Sequence, residues 1–309
     1  MKIAVIGAGT MGTGIAEVCI EAGLLTCLCS RRPESLDGAF ERIQKNQAQM
    51  VSAGLLSEAD ARAARERIRS TQDLAEAVHE ADFVSENVPE TLALKQTMFR
   101  DLDRLAPPAA VLSTDTSGLS ITAIASVTKR PDRVVGFHWL NPPHLMLPVE
   151  VNRGAETSED TVRATCALAE RIGRVPIRVE RDVPGFLWNR LQLALLREAI
   201  HIVEQGIARP ADVDLAVQWG LGLRWAAVGP FRVMDLAGLP TFGAVAAYLF
   251  PELSAAQEPQ PLLQEAVREG HLGAKVGKGF YDYPPGASEA LIQERDTRLM
   301  AIRRALTAR

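Results

Sequence analysis

A glycine triplet near the start of the chain constrains the fold more than any other feature of the sequence. Gly7, Gly9 and Gly12 directly follow the apolar segment Lys2–Ile6 and open a helical pattern. In a strand–turn–helix unit such glycines permit a tight turn, a close approach of the backbone to a pyrophosphate and close packing of helix on strand. The free N–H groups of the helix N-terminus then face the phosphates. We therefore predict a dinucleotide-binding Rossmann unit whose cofactor site includes Gly7, Gly9, Thr10, Met11 and Gly12.

Short apolar segments alternate with longer helical patterns through about residue 180, which is typical of a parallel sheet with crossover helices. Residues 34–69 predict two helices joined near Gly54, with Ser57 and Asp60 as a capping pair at the start of the second. This helical hairpin is additional to a minimal βαβ unit. The predicted strands are 2–6, 24–29, 82–86, 110–113, 133–137, 148–151 and 176–179.

Helical patterns dominate after the segment Asp182-Val183-Pro184-Gly185, starting with a long helix from about residue 184 to residue 204. A length of 309 residues also favours two domains. The predicted fold class is α/β. Residues 1–181 form an N-terminal Rossmann domain with the helical-hairpin insertion, and residues 182–309 form a C-terminal all-α domain.

The composition excludes several classes of protein. The sequence has 34 basic and 38 acidic residues, a net charge of −4, and its basic runs are short, so nucleic acid is not an expected partner. No apolar run reaches the roughly 18 residues that a membrane span needs, and the start of the chain lacks the pattern of a signal peptide. Four cysteines without CxxC spacing favour a reducing, cytoplasmic compartment. The five histidines lack ligand spacing, so no metal is expected.

The end of the second predicted strand bears on the choice of cofactor. NAD-binding units usually carry Asp or Glu there to accept hydrogen bonds from the ribose 2′-OH. This sequence has Ser30, Arg31 and Arg32 instead, and a guanidinium can bind a 2′-phosphate. We therefore predict NADP(H) in preference to NAD(H), which stays possible because Glu34 lies close enough to weaken the positive field.

A histidine and a glutamate twelve residues apart form the candidate catalytic pair. His138 follows a predicted strand, at the edge where open α/β sheets bind ligands. An alcohol dehydrogenase needs a group that removes the hydroxyl proton, and histidine titrates in the right range for this task. Glu150 could accept the other ring N–H of the imidazole. From spacing alone, a buried structural histidine explains the pattern equally well.

The chain resembles the 3-hydroxyacyl-CoA dehydrogenase family, including its lambda-crystallin-like and carnitine dehydrogenase branches. The resemblance spans residues 1 to about 283. It is carried by several motifs in the same order, namely GAGTMG, SENVPETLALK (Ser85–Lys95), TDTSGL (Thr114–Leu119), GFHWLNPP (Gly136–Pro143), PVEV, DVPGFLWNRL (Asp182–Leu191), VGPF and KVGKGFYDY.

The resemblance implies roles for particular residues. His138 and Glu150 would be the catalytic pair, and Ser117 and Asn189 would donate hydrogen bonds to the substrate oxygen at C3. The resemblance further implies a small-molecule substrate, fatty acid metabolism and a homodimer. The family residues that contact the nicotinamide and its ribose correspond to Glu90 and Lys95.

Three departures from the family pattern concern the substrate. Asp115 and Gly118 replace an Asn and a Ser of the family motif. The hairpin apex, residues 50–56, has no basic residue, whereas bacterial acyl-CoA members tend to carry lysines there that meet the CoA phosphates. Residues 220–225, GLGLRW, look more like the branches that act on free hydroxy acids.

These observations lead to a principal prediction and two alternatives. The principal prediction is an oxidoreductase that interconverts an L-3-hydroxyacyl(-CoA) substrate and its 3-keto form by hydride transfer. The first alternative is the same chemistry on a CoA-free 3-hydroxy acid or a polyketide-type ketone. The second, from another class, is a non-catalytic nucleotide-binding or structural protein.

Overall fold

The computed structural model describes residues 1–307, and the chain divides into two compact units. The first unit comprises Met1–Asn189 together with the described residues from Gln293 onwards, and the second is Arg190–Ile292. The boundary predicted from the sequence lies at residues 181/182, with the whole remainder in one helical domain. Contacts instead join the end of the chain to the first unit, because apolar side chains there pack on the helical hairpin.

The first unit is built on an eight-stranded sheet with the order β3-β2-β1-β4-β5-β6-β7-β8. Each neighbouring pair is parallel except β6–β7, which is antiparallel. The strands are β1 (Lys2–Ile6), β2 (Leu25–Cys29), β3 (Ile68–Thr71), β4 (Phe83–Glu86), β5 (Val111–Thr114), β6 (Val134–Trp139), β7 (Pro148–Asn152) and β8 (Val175–Val179).

All seven predicted strands are present, but the sequence analysis missed two features of the sheet. The short edge strand β3 is half-buried or exposed, so its sequence, IRST, lacks the apolar run that marks the other strands. The antiparallel direction of β7 was also missed. Reversal at this point pairs Gly136 with Asn152 and His138 with Glu150.

Helices cover both faces of the sheet. The helices of the first unit are α1 (Thr10–Glu21), α2 (Pro33–Ser52), α3 (Glu58–Arg65), α4 (Leu74–Val78), α5 (Leu92–Leu105), α6 (Ile121–Ala125) and α7 (Glu159–Arg171). On one face, Ile15 and Val18 of α1 pack against Phe137 and Val151 of the sheet. Phe99 of α5 packs in the apolar cluster on the other face. Burial of these two layers provides the main stabilisation of the unit.

The predicted helical hairpin is confirmed as α2 and α3. Ser57 is the N-cap of α3, and its hydroxyl oxygen accepts the Asp60 N–H at 3.0 Å. This capping bond satisfies one of the free donors of the first turn. The sequence signal at Ser57 and Asp60 therefore located the start of the helix correctly.

The second unit is helical. The remaining helices of the chain are α8 (Trp188–Glu204), α9 (Pro210–Leu215), α10 (Leu223–Ala227), α11 (Pro230–Ala237), α12 (Leu239–Leu249), α13 (Pro261–Arg268) and α14 (Ala287–Thr307), with a π-helical turn at Ala216–Gly222. The large apolar side chains of Trp219, Phe231, Leu236 and Phe250 are each at least 70% exposed. Among residues 1–307, no individual helix has the length and apolar character to cross a membrane. The bent pair 230–237 and 239–252, with 111° between its parts, meets those criteria only when the two are taken together.

Candidate active site

The glycine turn between β1 and α1 has the shape of a phosphate cradle. Gly7 has a φ of 108°, in the region that favours glycine, and a Cβ on Gly12 would lie 1.9 Å from the Gly7 carbonyl oxygen. Gly9 is the N-cap of α1, where no side chain caps the helix, and a Cβ there would meet nothing within 4 Å. Free N–H groups beside open space fit the pyrophosphate of a dinucleotide. Thr10 and Met11 form the first turn at the same place.

The residues proposed to select the cofactor lie at the same edge of the sheet. β2 ends at Cys29, which pairs with Ile6 at the end of β1, so Ser30 follows directly beside the glycine turn. The Arg32 N–H lies 3.4 Å from the Ser30 hydroxyl oxygen. Arg31 and Arg32 are exposed to solvent. Their position suits recognition of the ribose end of a dinucleotide, and their contact with a 2′-phosphate stays a prediction.

His138 and Glu150 face each other across the antiparallel pair β6–β7. The His138 Nδ1 atom lies 2.6 Å from Glu150 Oε2, and both side chains are at least 95% buried. The structure therefore brings together the two residues that the sequence separates by twelve positions. Because the carboxylate accepts the Nδ1 proton, the Nε2 atom is the one available for proton exchange with a substrate.

The second oxygen of Glu150 is held by the backbone that leads into α8. The N–H groups of Leu187 and Trp188 donate to Glu150 Oε1 at 3.1 and 2.5 Å. Phe186 has a φ of 49° and its ring centroid lies 5.8 Å from that of His138. No role was predicted for these three residues from the sequence. The motif DVPGFLWNRL contains them, but it does not reveal that the backbone turns back to the glutamate.

Ser117 and Asn189, the proposed oxygen-binding residues, are in direct contact. The Asn189 side-chain amide donates to the Ser117 carbonyl oxygen at 2.7 Å. The Ser117 N–H donates to Glu90 Oε1 at 2.9 Å, and the Thr116 hydroxyl donates to the same oxygen at 2.5 Å. Glu90 thus fixes the turn that carries Ser117.

Lys95 is buried and paired with acidic groups. Its Nζ atom donates to Glu86 Oε1 and Oε2 at 2.9 and 3.1 Å and lies 3.6 Å from Glu90 Oε2. Glu86 also accepts from the Thr114 hydroxyl at 2.6 Å. Glu86 was not among the site residues predicted from the sequence, although a charged residue at the end of a buried strand is a recognisable signal. The predicted contacts of Glu90 and Lys95 with the nicotinamide and its ribose stay predictions.

Asp115 stands between the Ser117 turn and the strand of His138. It accepts the Trp139 N–H at 2.8 Å. Desolvation raises the pKa of Asp115 to about 7, although the hydrogen bond from Trp139 acts in the opposite direction. The substitution of Asn by Asp in the family motif therefore introduces a carboxyl group that titrates near neutral pH.

Among the described residues, no group of three or more His, Cys, Asp or Glu side chains is arranged to hold a metal ion. The chemistry offered by the residues above consists of a histidine–glutamate pair, hydrogen-bond donors close to Ser117 and a phosphate cradle. Together these features suit hydride transfer that is coupled to proton transfer.

Two family models cover most of the chain. The NAD-binding domain of 3-hydroxyacyl-CoA dehydrogenase matches residues 2–183, and the C-terminal domain of the same enzymes matches residues 185–283. The chain belongs to the 3-hydroxyacyl-CoA dehydrogenase family. The predicted family is confirmed, and so is the fold of a Rossmann-like α/β domain followed by a helical domain. The expectation of an oxidoreductase with a nicotinamide cofactor is also confirmed.

Relatives of this 3-hydroxyacyl-CoA dehydrogenase family member differ in their substrates. A probable 3-hydroxybutyryl-CoA dehydrogenase of Bacillus subtilis is 40% identical over 283 residues, or 91% of this chain and 97% of the relative. The 5-formyl-3-hydroxy-2-methylpyridine 4-carboxylate 5-dehydrogenase of Mesorhizobium japonicum is 37% identical over 308 residues, or 100% of this chain and 99% of the relative.

Two solved structures are similar to this chain over most of its length. A structure of the pyridine-carboxylate dehydrogenase, described as an NAD+-dependent dismutase, matches with a TM-score of 0.92 at 36% identity and covers 100% of this chain and 99% of its own. FadB2 of Mycobacterium tuberculosis matches with a TM-score of 0.76 at 36% identity and covers 92% of this chain and 98% of its own.

Proposed function

We propose that this protein interconverts an L-3-hydroxyacyl substrate and its 3-keto form by hydride transfer, with His138 as general acid–base. The observation that carries the proposal is the 2.6 Å contact between His138 Nδ1 and Glu150 Oε2 in a buried setting. The carboxylate orients the imidazole and stabilises the imidazolium that forms when the ring takes up a proton.

The proton transfer follows from this orientation. During oxidation, His138 Nε2 accepts the proton of the substrate hydroxyl, and during reduction it returns a proton to the carbonyl oxygen. When bound, the nicotinamide supplies the acceptor or donor of the hydride. Ser117 and Asn189 donate hydrogen bonds to the substrate oxygen, where negative charge develops during reduction. The hydrogen bond between Asn189 and Ser117 supports this assignment, because it holds the two residues next to each other, where both can reach one substrate oxygen.

The cofactor is held at the carboxyl edge of the sheet. Gly7, Gly9, Thr10, Met11 and Gly12 cradle the pyrophosphate, and Glu90 and Lys95 support the nicotinamide end. Ser30, Arg31 and Arg32 favour NADP(H), since no carboxylate occupies the end of β2 and two exposed guanidinium groups follow it. NAD(H) is the alternative cofactor, and the family to which the chain belongs is described by NAD binding.

A second candidate is the same chemistry on a CoA-free substrate. The full-length similarity to a dehydrogenase of a small pyridine carboxylate favours it. The hairpin apex also favours it, because residues 50–56 include no basic side chain for a phosphorylated carrier and Met50 packs in one apolar cluster with Met300 of α14. The Arg304 guanidinium of α14, which reaches the apex, donates to the Ala53 carbonyl oxygen.

One assay separates the two candidates. Acetoacetyl-CoA, free acetoacetate and a formyl-substituted aromatic carboxylate are each offered to the purified protein with NADPH or NADH, and absorbance at the dihydronicotinamide band is followed. Turnover of the thioester alone supports the first candidate, and turnover of the free acids alone supports the second. Absence of turnover with every substrate and both cofactors contradicts the proposed function.

We also propose that the protein forms a homodimer through the second unit and acts in the cytoplasm. The exposed apolar side chains of residues 190–292, including Trp219 and Phe231, support the first point, because apolar groups in such numbers gain by burial against a partner. Four free cysteines support the second. Sedimentation velocity measures the association, and a monomer at micromolar concentration contradicts it.

A further inference from the structure

The end of α14 lies against the loop that follows the strand of His138. The Arg303 guanidinium donates through Nη1 to the His144 carbonyl oxygen at 2.8 Å. Met300, which is 8% exposed, packs in one apolar cluster with Met50 of the hairpin and Leu145 of the loop. The loop 140–147 is therefore held between the hairpin and the C-terminal helix.

A second guanidinium holds the same loop from the side of the sheet. Arg174 is 5% exposed, and its Nη2 atom lies 3.3 Å from the Pro143 carbonyl oxygen and 3.4 Å from the His144 carbonyl oxygen. The Arg174 guanidinium carbon also lies 5.9 Å from the ring centroid of Trp139. The buried Arg174 and the half-buried Arg303 thus both donate to the His144 carbonyl oxygen, and charge-assisted hydrogen bonds of this kind hold a backbone segment firmly.

Hydrogen bonds within the loop connect these anchors to its junction with β6. The N–H groups of Leu145 and Met146 both donate to the Pro142 carbonyl oxygen, at 3.1 and 3.0 Å. The Pro143 ring lies 3.0 Å from the position of a Cβ on Gly14, so the loop rests directly on α1. These contacts therefore form a continuous path from His144 along the loop to Trp139, the neighbour of His138 in β6.

The other side of β6 is fixed at the same residue. The Trp139 N–H donates to Asp115, which precedes the Ser117 turn by two positions. Trp139 is consequently held by Asp115 through its backbone and by Arg174 at its ring. This arrangement connects α14 to the strand that carries His138 through contacts within the first unit.

We propose that Arg303 is a positioning residue, through which the C-terminal helix fixes the loop 140–147 and thereby the alignment of His138 with the substrate. The inference rests on the proposed function, since it concerns the same proton transfer. The two family models match residues 2–183 and 185–283, so Arg303 lies outside both of them.

The test uses the full-length protein and three variants. Arg303→Ala removes the donor to His144, and Arg303→Lys retains a cation that can reach the carbonyl. Arg298→Ala is the matched control, because Arg298 lies on the same helix, is 64% exposed and pairs with Glu294. Hydrogen exchange of the Leu145 and Met146 amides measures the order of the loop, while kcat, KM and the cofactor Kd measure the site.

We expect Arg303→Ala to accelerate exchange at both amides at least tenfold and to lower kcat/KM about 10- to 100-fold, with an unchanged cofactor Kd. Arg303→Lys should recover most of kcat/KM, and Arg298→Ala should match the wild type. If Arg303→Ala does not fold, Arg303→Gln, which keeps an uncharged donor, is expected to show the same changes on a smaller scale.

Two results overturn the inference. One is unchanged exchange at Leu145 and Met146 in the Arg303 variants, and the other is faster exchange with a wild-type kcat/KM. Failure of the proposed function is distinguished by a different result. In that case the wild-type protein shows no turnover, regardless of the exchange rates of the Leu145 and Met146 amides.

Discussion

His138 and Glu150 are register partners in the antiparallel pair β6–β7, with Nδ1 of the histidine 2.6 Å from Oε2 of the glutamate. Directly opposed residues of such a pair place their side chains on the same face of the sheet, only about 5 Å apart at Cβ. The antiparallel register of β7 against β6 therefore places the proposed catalytic pair side by side. Two N–H groups at the start of α8 then fix the glutamate from its other side.

Substitution of the pair should affect turnover and leave cofactor binding intact. His138→Gln removes the group that exchanges the proton and should lower kcat about 10²- to 10⁴-fold. Glu150→Gln retains a hydrogen-bonding side chain but loses the charge that stabilises the imidazolium, so we expect a fall of about 10²-fold or more. Steady-state kinetics and fluorescence titration with NADH or NADPH provide the measurements.

The control for Glu150→Gln is Glu159→Gln, which removes an equal charge from a half-exposed ion pair with Arg153 and Arg178. It should leave kcat within about twofold, as expected for a surface pair. Near-wild-type turnover in His138→Gln would contradict the assignment of the general acid–base.

Two substitutions in the glycine turn should separate an effect on the stability of the protein from an effect on cofactor binding. Gly12→Ala would place Cβ 1.9 Å from a backbone oxygen, so we expect a stability loss of at least about 1–3 kcal/mol and a lower Tm. Gly9→Ala meets nothing within 4 Å and should leave the Tm of the cofactor-free protein unchanged. Its methyl group would instead occupy the space expected for the pyrophosphate, so the cofactor Kd should rise at least about tenfold. Equal cofactor affinity in Gly9→Ala and wild type would place the phosphates elsewhere.

Cofactor preference should depend on the two arginines after β2. We expect the wild type to have a higher kcat/KM with NADPH than with NADH. The double variant Arg31→Ala, Arg32→Ala should lose about tenfold in kcat/KM with NADPH and little with NADH, because the guanidinium groups act on the 2′-phosphate. Arg62→Ala is the control for the loss of one positive charge, because Arg62 is an exposed arginine of α3. A tenfold preference of the wild type for NADH would contradict this prediction.

Asp115 should make stability depend on pH. Its pKa is raised to about 7 in the folded protein from an ordinary value of 3.8, so the folded state binds the proton more tightly than the unfolded state. The resulting stabilisation is fully present below pH 3.8 and is lost as the pH rises through about 7. Because one pKa unit corresponds to about 1.4 kcal/mol, the loss is at most on the order of 4 kcal/mol.

Asp115→Asn keeps an oxygen that can accept the Trp139 N–H and removes the titration. The variant should therefore be more stable than the wild type at pH 8 and nearly equal to it at pH 4. Urea denaturation at several pH values measures the difference. A constant difference in unfolding free energy across this range would show that folding does not raise the pKa of Asp115.

The sequence by itself determined the local features. Gly7, Gly9 and Gly12 after an apolar strand were sufficient to predict the Rossmann turn, since the requirement for glycine there is steric and involves a few neighbouring residues. Ser57 and Asp60 likewise located the start of α3, because a helix cap is formed within one turn. The motif order was sufficient to predict the family.

Only the tertiary structure decided which residues meet. The strand direction of β7, the backbone donors to Glu150, the pairing of Lys95 with Glu86 and the convergence of Arg303 and Arg174 on His144 each join segments that are distant in the chain. Residue type and spacing do not determine such contacts, because they depend on how the strands pair and how the helices pack on the sheet. The burial that raises the pKa of Asp115 arises in the same way, from atoms of several elements that exclude water together.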